Sequence, residues 1–262
     1  MRSKLVVVLS LVAVMLAAIA PARAITYGQL DGNRHPNVGA MVAEWRAAGQ
    51  KDLFCTGTLI SPTVFVTAAH CTAYLEALGL EQIWVTFDSH FNAATATLYP
   101  GTLHTNPGYN QRQSDSGDIA VVVLDQPITH LTPARLPTAG LLDQLRAQNG
   151  LKDQTFTAVG YGALEATRSD GRPVNNTSVD RRFSTSRFNA LNPGYIRLSQ
   201  NNATGDSGTC YGDSGGPNFL GTSDVLAAIT TTGDALCWAT NVDYRLDTQS
   251  ARTFLANYVT LP

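Results

Sequence analysis

The chain is poor in charge and contains almost no long apolar run. Charged side chains make up 15% of its 262 residues, with 18 Lys and Arg against 20 Asp and Glu. The missing basic excess argues against a nucleic-acid partner, and no long acidic run suggests a disordered tail. Long helical patterns are also scarce. Because glycine, threonine and proline are plentiful instead, the composition favours an all-β protein with one large domain or two small ones.

The one long apolar run lies at the N-terminus. Residues 5–20 are apolar almost throughout, follow a positively charged start and precede small residues at Ala22 and Ala24. This pattern is typical of a secretory signal peptide with an A-x-A cleavage site. The run, about 16 residues, is short for a membrane span. We expect residues 1–24 to be removed and a secreted protein, no longer attached to a membrane, to begin at Ile25.

Cysteine is rare, with four residues, and no two of them have C-x-x-C spacing. In the oxidising compartment that export implies, all four are expected to be paired. Four cysteines allow three connectivities. Pairing between nearest neighbours would close two short loops, Cys55–Cys71 and Cys210–Cys237. The spacing gives no support for a metal site.

Short β-rich segments separated by turns follow the leader. Without intervening helices they predict antiparallel barrels or sandwiches. A proline-containing stretch, 127–140, is the best candidate linker between two halves, and the polar stretch 163–180 reads as an exposed loop. Residues 248–259 predict a helix that Thr248 or Ser250 could cap. The predicted strands are two within 58–69, divided at Ser61-Pro62, and one each within 83–87, 118–124, 154–162, 194–199 and 225–232.

A serine stands among small residues in CYGDSGGP, residues 210–217. The stretch also satisfies G-x-S-x-G, the nucleophile elbow of α/β-hydrolases, in which the histidine follows the serine. Here all five histidines precede Ser214. Chain order and the absence of βα alternation therefore exclude that fold.

A serine nucleophile needs a base and an acid that orients the base. His70 comes directly after a predicted strand and next to Cys71, whereas the other four histidines lie in loop-like sequence, at positions 35, 90, 104 and 130. Asp118 opens the buried strand DIAVVVL, where a carboxylate can be held away from water. Asp115 and Asp125 are competitors that read as surface acids flanking the strand.

TAAHC, DIAVVVL and CYGDSGGP, in this order, resemble the chymotrypsin/trypsin family of serine peptidases. The resemblance extends from about Ile25 to the predicted C-terminal helix. It implies an all-β fold of two antiparallel six-stranded β-barrels with a C-terminal helix, the first barrel within 25–135 and the second within 136–262. It also implies an active site in the cleft between the barrels and the disulfides Cys55–Cys71 and Cys210–Cys237.

The resemblance implies a secreted endopeptidase that works through an acyl-enzyme. Ser214 would attack the carbonyl carbon, and His70 would take the serine proton and pass it to the leaving amine. Asp118 would hold the imidazole ring. The backbone N–H groups of Gly212 and Ser214 would form the oxyanion hole.

In this family a new N-terminal ammonium pairs with the acid before the nucleophile, here Asp213. Mature chains of the family usually begin Ile-Val-Gly-Gly, and ITYG departs from this at Thr26 and Tyr27. No propeptide separates PARA from ITYG. We therefore expect that cleavage after Ala24 frees Ile25 and activates the enzyme without a zymogen.

The resemblance also places a pocket for P1, the substrate residue whose carbonyl is attacked. Its base would be Gly208 followed by Thr209, where the trypsin branch has an aspartate, so an uncharged P1 residue is expected. Asn241 would replace a wall glycine. Residues Thr230, Thr231 and Thr232 would pair with the substrate backbone, and Thr231 stands where the family usually has a tryptophan.

The expected partners are a protein or peptide substrate and protein inhibitors, and the expected state is a monomer without cofactor or metal. A non-catalytic binding homologue is the rival from another class. A subtilisin-like arrangement, with Asp31 or Asp52 as the acid, is a second. The N-glycosylation motif N-x-[ST] occurs at Asn175, Asn176 and Asn202. Chance is a good explanation for it, because asparagine and threonine are common in this chain.

Overall fold

The first half of the chain closes six antiparallel strands into a barrel. The structure is a computed structural model, and it describes Ile25, residues 28–164 and residues 178–262. The strands pair in the order β2-β3-β4-β7-β6-β5, and β5 returns to β2. Their bounds are β2 Val38–Ala43, β3 Asp52–Ser61, β4 Val64–Thr67, β5 Gln82–Thr86, β6 Tyr99–Thr105 and β7 Ala120–Leu124.

The second half forms a second barrel of six antiparallel strands. The order is β8-β9-β10-β13-β12-β11, and β11 returns to β8. The expected fold class is therefore confirmed. A two-residue strand near the start of the chain, β1 Gln29–Leu30, pairs with β9 of this second barrel rather than with the first. The bounds are β8 Thr155–Gly160, β9 Arg182–Leu191, β10 Tyr195–Ser199, β11 Pro217–Leu220, β12 Leu226–Gly233 and β13 Thr240–Arg245.

Within the described residues, three short α-helices accompany the barrels: α1 Ala69–Ala77, α2 Leu141–Ala147 and α3 Gln249–Leu255. Of the two candidate caps for the terminal helix, Thr248 is the N-cap, and its hydroxyl accepts the Ala251 N–H. A 3₁₀ turn covers Asn202–Thr204. None of the helices in the described parts of the chain is long and apolar enough to span a membrane.

Each segment predicted to be a strand contains a strand, but the sequence prediction missed others. The break at Ser61-Pro62 separates β3 from β4 as expected. The long strand β9 was missed because its sequence, RFSTSRFNAL, is polar and much of it stays partly exposed. Helix α1 was missed because it follows β4 after a single residue, Ala68, without a side-chain cap.

An apolar core joins the two barrels. Val66 and Val121 of the first barrel belong to the same buried cluster as Val159 and Ile229 of the second, and Leu255 of α3 completes it. Burial of such side chains contributes about 1.5–3 kcal/mol each. This shared core fixes the cleft where the loops of both barrels meet.

A fully buried arginine holds the N-terminal segment against both barrels. Arg181 Nε lies 2.9 Å from Asp31 Oδ2, and its Nη2 donates to the Gly32 carbonyl. His35 Nδ1 contacts the other Asp31 oxygen at 2.5 Å. Burial raises the pKa of Asp31, but the His35 hydrogen bond and the Arg181 charge together hold it below its usual value. Ile25, just upstream, is 1% exposed.

Some sequence predictions fall on residues that the structure does not describe. The leader 1–24, Thr26, Tyr27 and most of the predicted loop 163–180, with Asn175 and Asn176, lie outside the described residues. Asn202 is described and exposed, at the start of the 3₁₀ turn.

Candidate active site

The carboxylate of Asp118 holds His70 at two points. Asp118 Oδ2 lies 2.9 Å from His70 Nδ1, and Oδ1 accepts the His70 backbone N–H at 2.8 Å. The second contact supplies a first-turn N–H of α1 with the acceptor that Ala68, the N-cap, cannot offer. Asp118 is 2% exposed, whereas a quarter of the His70 side chain remains exposed. The imidazole is thus oriented from the buried side and open on the other.

The other candidates for the acid that orients His70 bind other groups. Asp115 accepts the Tyr244 hydroxyl at 2.8 Å, and Asp31 binds His35 and Arg181. Asp52 accepts from the amide of Gln50. The subtilisin-like alternative needed Asp31 or Asp52 as the acid next to the base, so this geometry contradicts it.

Two disulfides fasten the loops that carry the candidate site. Cys55–Cys71 ties strand β3 to helix α1 directly beside His70, and Cys210–Cys237 ties the serine loop to the loop before β13. These are the pairings that the family resemblance implied. Because Cys71 follows His70, the first bridge fixes the backbone that carries the imidazole.

Glycine gives the serine loop its shape. Gly212 and Gly215 have φ values of +98° and +78°, which favour glycine. At Gly215 a Cβ atom would lie 2.1 Å from Thr67 Oγ1 and 2.6 Å from the Ala68 nitrogen, so no side chain fits. The backbone N–H groups of Gly212 and Ser214 donate no hydrogen bond to any described residue. Both amides are therefore available to an incoming oxygen.

Thr56 connects the serine loop to the first barrel. It follows Cys55 on β3 and is fully buried. Its N–H donates to the Ser214 carbonyl at 2.9 Å, and its hydroxyl donates to the Gly212 carbonyl at 3.0 Å. Its carbonyl in turn accepts the Thr67 hydroxyl at 2.8 Å. Sequence analysis missed Thr56, because its partners in the serine loop lie more than 150 residues away and no local pattern marks it.

His70 and Ser214 border two adjoining cavities. Ser214 lines one of about 290 Å³, and His70 with Asp118 lines the other, of about 470 Å³. Thr231 and Thr232 border both cavities. Across the described residues the Ser214 hydroxyl forms no hydrogen bond, so it is not bonded to His70. In serine hydrolases, the hydrogen bond between nucleophile and base is often long before substrate binds.

Asp213 is a buried carboxylate without a cation among the described residues. It accepts the N–H groups of Gly162 at 2.7 Å and Cys210 at 2.8 Å. A Cβ atom at Gly160 or Gly162 would lie 2.2 Å from a carboxylate oxygen, so glycine at these positions makes room for the group. Burial raises the pKa of Asp213 to about 7 although both hydrogen bonds lower it. In this chain Ile25 carries a peptide nitrogen and no ammonium.

Four of the six predicted pocket residues line the cavity beside Ser214, and two do not. Thr209, Thr230, Thr231 and Thr232 border it. The remaining two, Gly208 and Asn241, are buried behind this lining. The side chain of Gln200 covers Gly208 so closely that a Cβ there would lie 2.3 Å from Gln200 Cγ. Asn241 binds the Thr209 hydroxyl at 2.7 Å from behind.

Two acids near this cavity have different roles. Asp206 binds Arg187 at 2.9 Å and does not line the cavity. Asp234, which sequence analysis missed, does line it and accepts the N–H groups of three residues in its own loop, from Trp238 to Thr240. Burial raises the pKa of Asp234, but these hydrogen bonds hold it below its usual value. Asp234 therefore keeps its charge while organising the loop.

One cluster of potential metal ligands occurs among the described residues, formed by Cys55, His70 and Cys71. Both sulfur atoms are joined in a disulfide. Metal ligation by cysteine uses the thiolate, so this cluster does not form a metal site.

A family model described as Trypsin matches residues 33–252. A chymotrypsin of Phaedon cochleariae is 28% identical over 205 residues, which cover 74% of this chain and 68% of that protein. Glucanase inhibitor protein 3 of Phytophthora sojae is 29% identical over 191 residues, which cover 66% and 64% of the two chains.

Solved structures show the same fold at low identity. HL collagenase superposes with a TM-score of 0.62 and 17% identity, covering 88% of this chain and 96% of that one. A structure titled HBP gives 0.64 and 15%, with coverages of 90% and 96%.

We predict that Thr56→Val lowers the free energy of unfolding by about 1–3 kcal/mol, because the Gly212 carbonyl loses its buried donor. Urea denaturation measures the change. Thr56→Ser keeps the hydroxyl and should recover most of the loss, and Thr132→Val, at an exposed position, should stay within about 0.5 kcal/mol of wild type. Equal stabilities for Thr56→Val and Thr132→Val would contradict a clamping role.

Proposed function

Because the chain belongs to the Trypsin family, we propose that it is a secreted serine endopeptidase with Ser214 as nucleophile, His70 as base and Asp118 as orienting acid. One observation carries the proposal: the His70–Asp118 pair, 2.9 Å apart, opens into the cleft that Ser214 also borders. The substrate class is a protein or peptide chain.

In the proposed reaction His70 removes the proton from the Ser214 hydroxyl as the oxygen attacks the substrate carbonyl. Asp118 accepts from Nδ1, keeps Nε2 free for this transfer and stabilises the imidazolium that forms. His70 then protonates the leaving amine, and the acyl group stays on Ser214. Water, deprotonated by His70, hydrolyses this ester in the second half of the reaction.

The oxyanion would form between the backbone N–H groups of Gly212 and Ser214. Both amides are unoccupied within the described residues, and Thr56 holds the intervening loop from behind. Fixed donors that need no reorganisation stabilise developing charge well, and losing one such donor costs about 10²–10³-fold in kcat.

We propose further that Ile25, once freed by removal of residues 1–24, supplies the cation for Asp213. A fully buried carboxylate with a pKa of about 7 is poorly stabilised as an anion. The ammonium would restore its charge and hold the serine loop in place. Buried Ile25 and the Asp31–Arg181 pair just downstream support an inward-facing start of the mature chain.

The alternative is a binding homologue of the same fold. One similar protein is named a glucanase inhibitor and not a protease, so the alternative has a precedent among similar chains. Here the residue types needed for nucleophile, base and acid are all present, which favours the enzyme.

We predict that the protein reacts with a fluorophosphonate probe at Ser214 and that Ser214→Ala does not. Asp118→Asn should lower kcat by about 10⁴-fold because the wrong imidazole tautomer is favoured. Asp115→Asn is the matched control and should still be labelled, since Asp115 binds Tyr244 instead. Folded protein beginning at Ile25 that stays unlabelled would support the binding homologue.

We predict that the chain that keeps residues 1–24 loses stability as the pH rises from 4 to 7 and that the chain beginning at Ile25 does not. In the longer chain Asp213 has a pKa of about 7 when folded, against 3.8 as the ordinary value. The folded state then binds the proton more tightly, so the free energy of unfolding falls by about 4 kcal/mol between pH 4 and pH 7.

The chain beginning at Ile25 pairs Asp213 with the ammonium and should not show this loss. Urea denaturation of both chains across the pH range measures it. Asp213→Asn in the longer chain is the control and should remove the pH dependence. Identical pH profiles for the two chains would rule out the ion pair, and a different residue found by N-terminal sequencing would rule out Ile25 as the start.

We predict that substrates differing only at P1 are cleaved faster with Phe or Leu than with Arg, by at least about tenfold in kcat/KM, because the pocket offers no free acid to a buried cation. Asp234, the charged group at the wall, already accepts three N–H groups. Faster cleavage after Arg that disappears in Asp234→Asn would instead assign Asp234 a role in specificity.

A further inference from the structure

Arg197 projects from the outer face of strand β10. Its neighbours Ile196 and Leu198 point into the core of the second barrel, and Arg197 itself is exposed. Tyr195, two residues earlier and on the same face, bonds through its hydroxyl to Ser116, which precedes Asp118 by two residues. The outer face of β10 therefore forms one wall of the cleft.

Arg197 lies in a row across three strands that ends at the substrate cleft. Val242 of β13 is the Cα partner of both Arg197 on β10 and Thr232 on β12. Neighbouring strands are about 4.8 Å apart, so Arg197 and Thr232 are separated by about 10 Å at the backbone. An extended arginine side chain covers most of that distance.

The cavity of about 470 Å³ beside His70 is lined by Arg197, Val242 and Thr232 as well as by Asp118. Arg197 is the one cationic side chain of this lining apart from the histidine, and it forms no ion pair or hydrogen bond with any residue that the structure describes. Asp118, the one acid of the lining, is occupied by His70. The guanidinium thus faces the cleft without a counter-charge.

The proposed function gives the direction of the substrate, and Thr230 marks where its strand would begin. The Thr230 carbonyl accepts the Gly215 N–H at 2.7 Å, so it lies beside the serine loop, and Thr232 lies two residues farther away. A substrate strand added along Thr230–Thr232 would have P1 at Ser214 and its upstream residues, P3 and P4, near Thr232.

We propose that Arg197 is a specificity residue that selects substrates with an acidic side chain at P3 or P4. The inference rests on the proposed function for the direction of the substrate. Arginine presents a planar pair of donors that matches a carboxylate. No described acid pairs with Arg197, so its donors remain available to the substrate. Because the site is open, the preference depends on ionic strength.

Two peptides that differ only in Glu or Gln at P3 and P4 test this. We expect kcat/KM to be about three- to tenfold higher for the Glu peptide at low salt and the ratio to shrink as salt is added. In Arg197→Gln the ratio should fall to about one, and in Arg197→Lys it should be partly kept. Arg135→Gln, which removes another exposed charge that is paired with Asp224 on the surface, should keep the wild-type ratio.

Binding of the same peptides to Ser214→Ala, followed by fluorescence anisotropy, separates this inference from the hydrolytic function. Tighter binding of the Glu peptide that is lost in the double variant with Arg197→Gln supports the role of Arg197 even if the wild-type protein cleaves nothing. Equal binding and equal cleavage of the two peptides overturn it while leaving the endopeptidase assignment intact.

Discussion

The hydrogen bonds of Thr56 are the contacts on which the geometry of the candidate site depends. One residue reaches the carbonyls on both sides of Asp213, at Gly212 and Ser214, and its neighbour Cys55 is bridged to the residue after His70. The apolar core that the two barrels share tolerates small shifts. The two hydrogen bonds of Thr56, at 2.9 and 3.0 Å, tolerate much smaller shifts. The loop that carries the serine therefore takes its position from the strand that holds the histidine helix.

Two buried carboxylates in this region are stabilised in different ways. Asp118 receives both an imidazole and a helix N–H, and it needs no further partner. Asp213 receives two backbone N–H groups in a space made by glycines, and burial still raises its pKa. The first environment holds the imidazole and the start of a helix through two hydrogen bonds. The second suits an acid whose charge depends on a cation brought from another part of the chain.

Sequence reasoning found the residues whose evidence is local. His70, Asp118, Ser214 and the four cysteines stand in short motifs, and the β-rich segments gave the fold class. It missed β9, whose polar sequence hides a ten-residue strand, and α1, which starts without a cap. It placed Gly208 and Asn241 at the pocket, but Gly208 packs against Gln200, Asn241 accepts the Thr209 hydroxyl, and neither borders the cavity. The serine-loop partners of Thr56 and the cavity that Arg197 borders are set by the fold, so no spacing in the sequence marks these two residues. Asp234 was missed although its three partners lie only four to six residues away.

The burial of Ile25 has a practical consequence for producing the protein. A purification tag or fusion partner joined at this residue would have to pass through a position that is 1% exposed. Pro262 imposes no such restriction, since it is exposed and lies beyond the last helix. Recombinant material should therefore carry its handle after Pro262, or carry an N-terminal one that is cut off without leaving a residue behind.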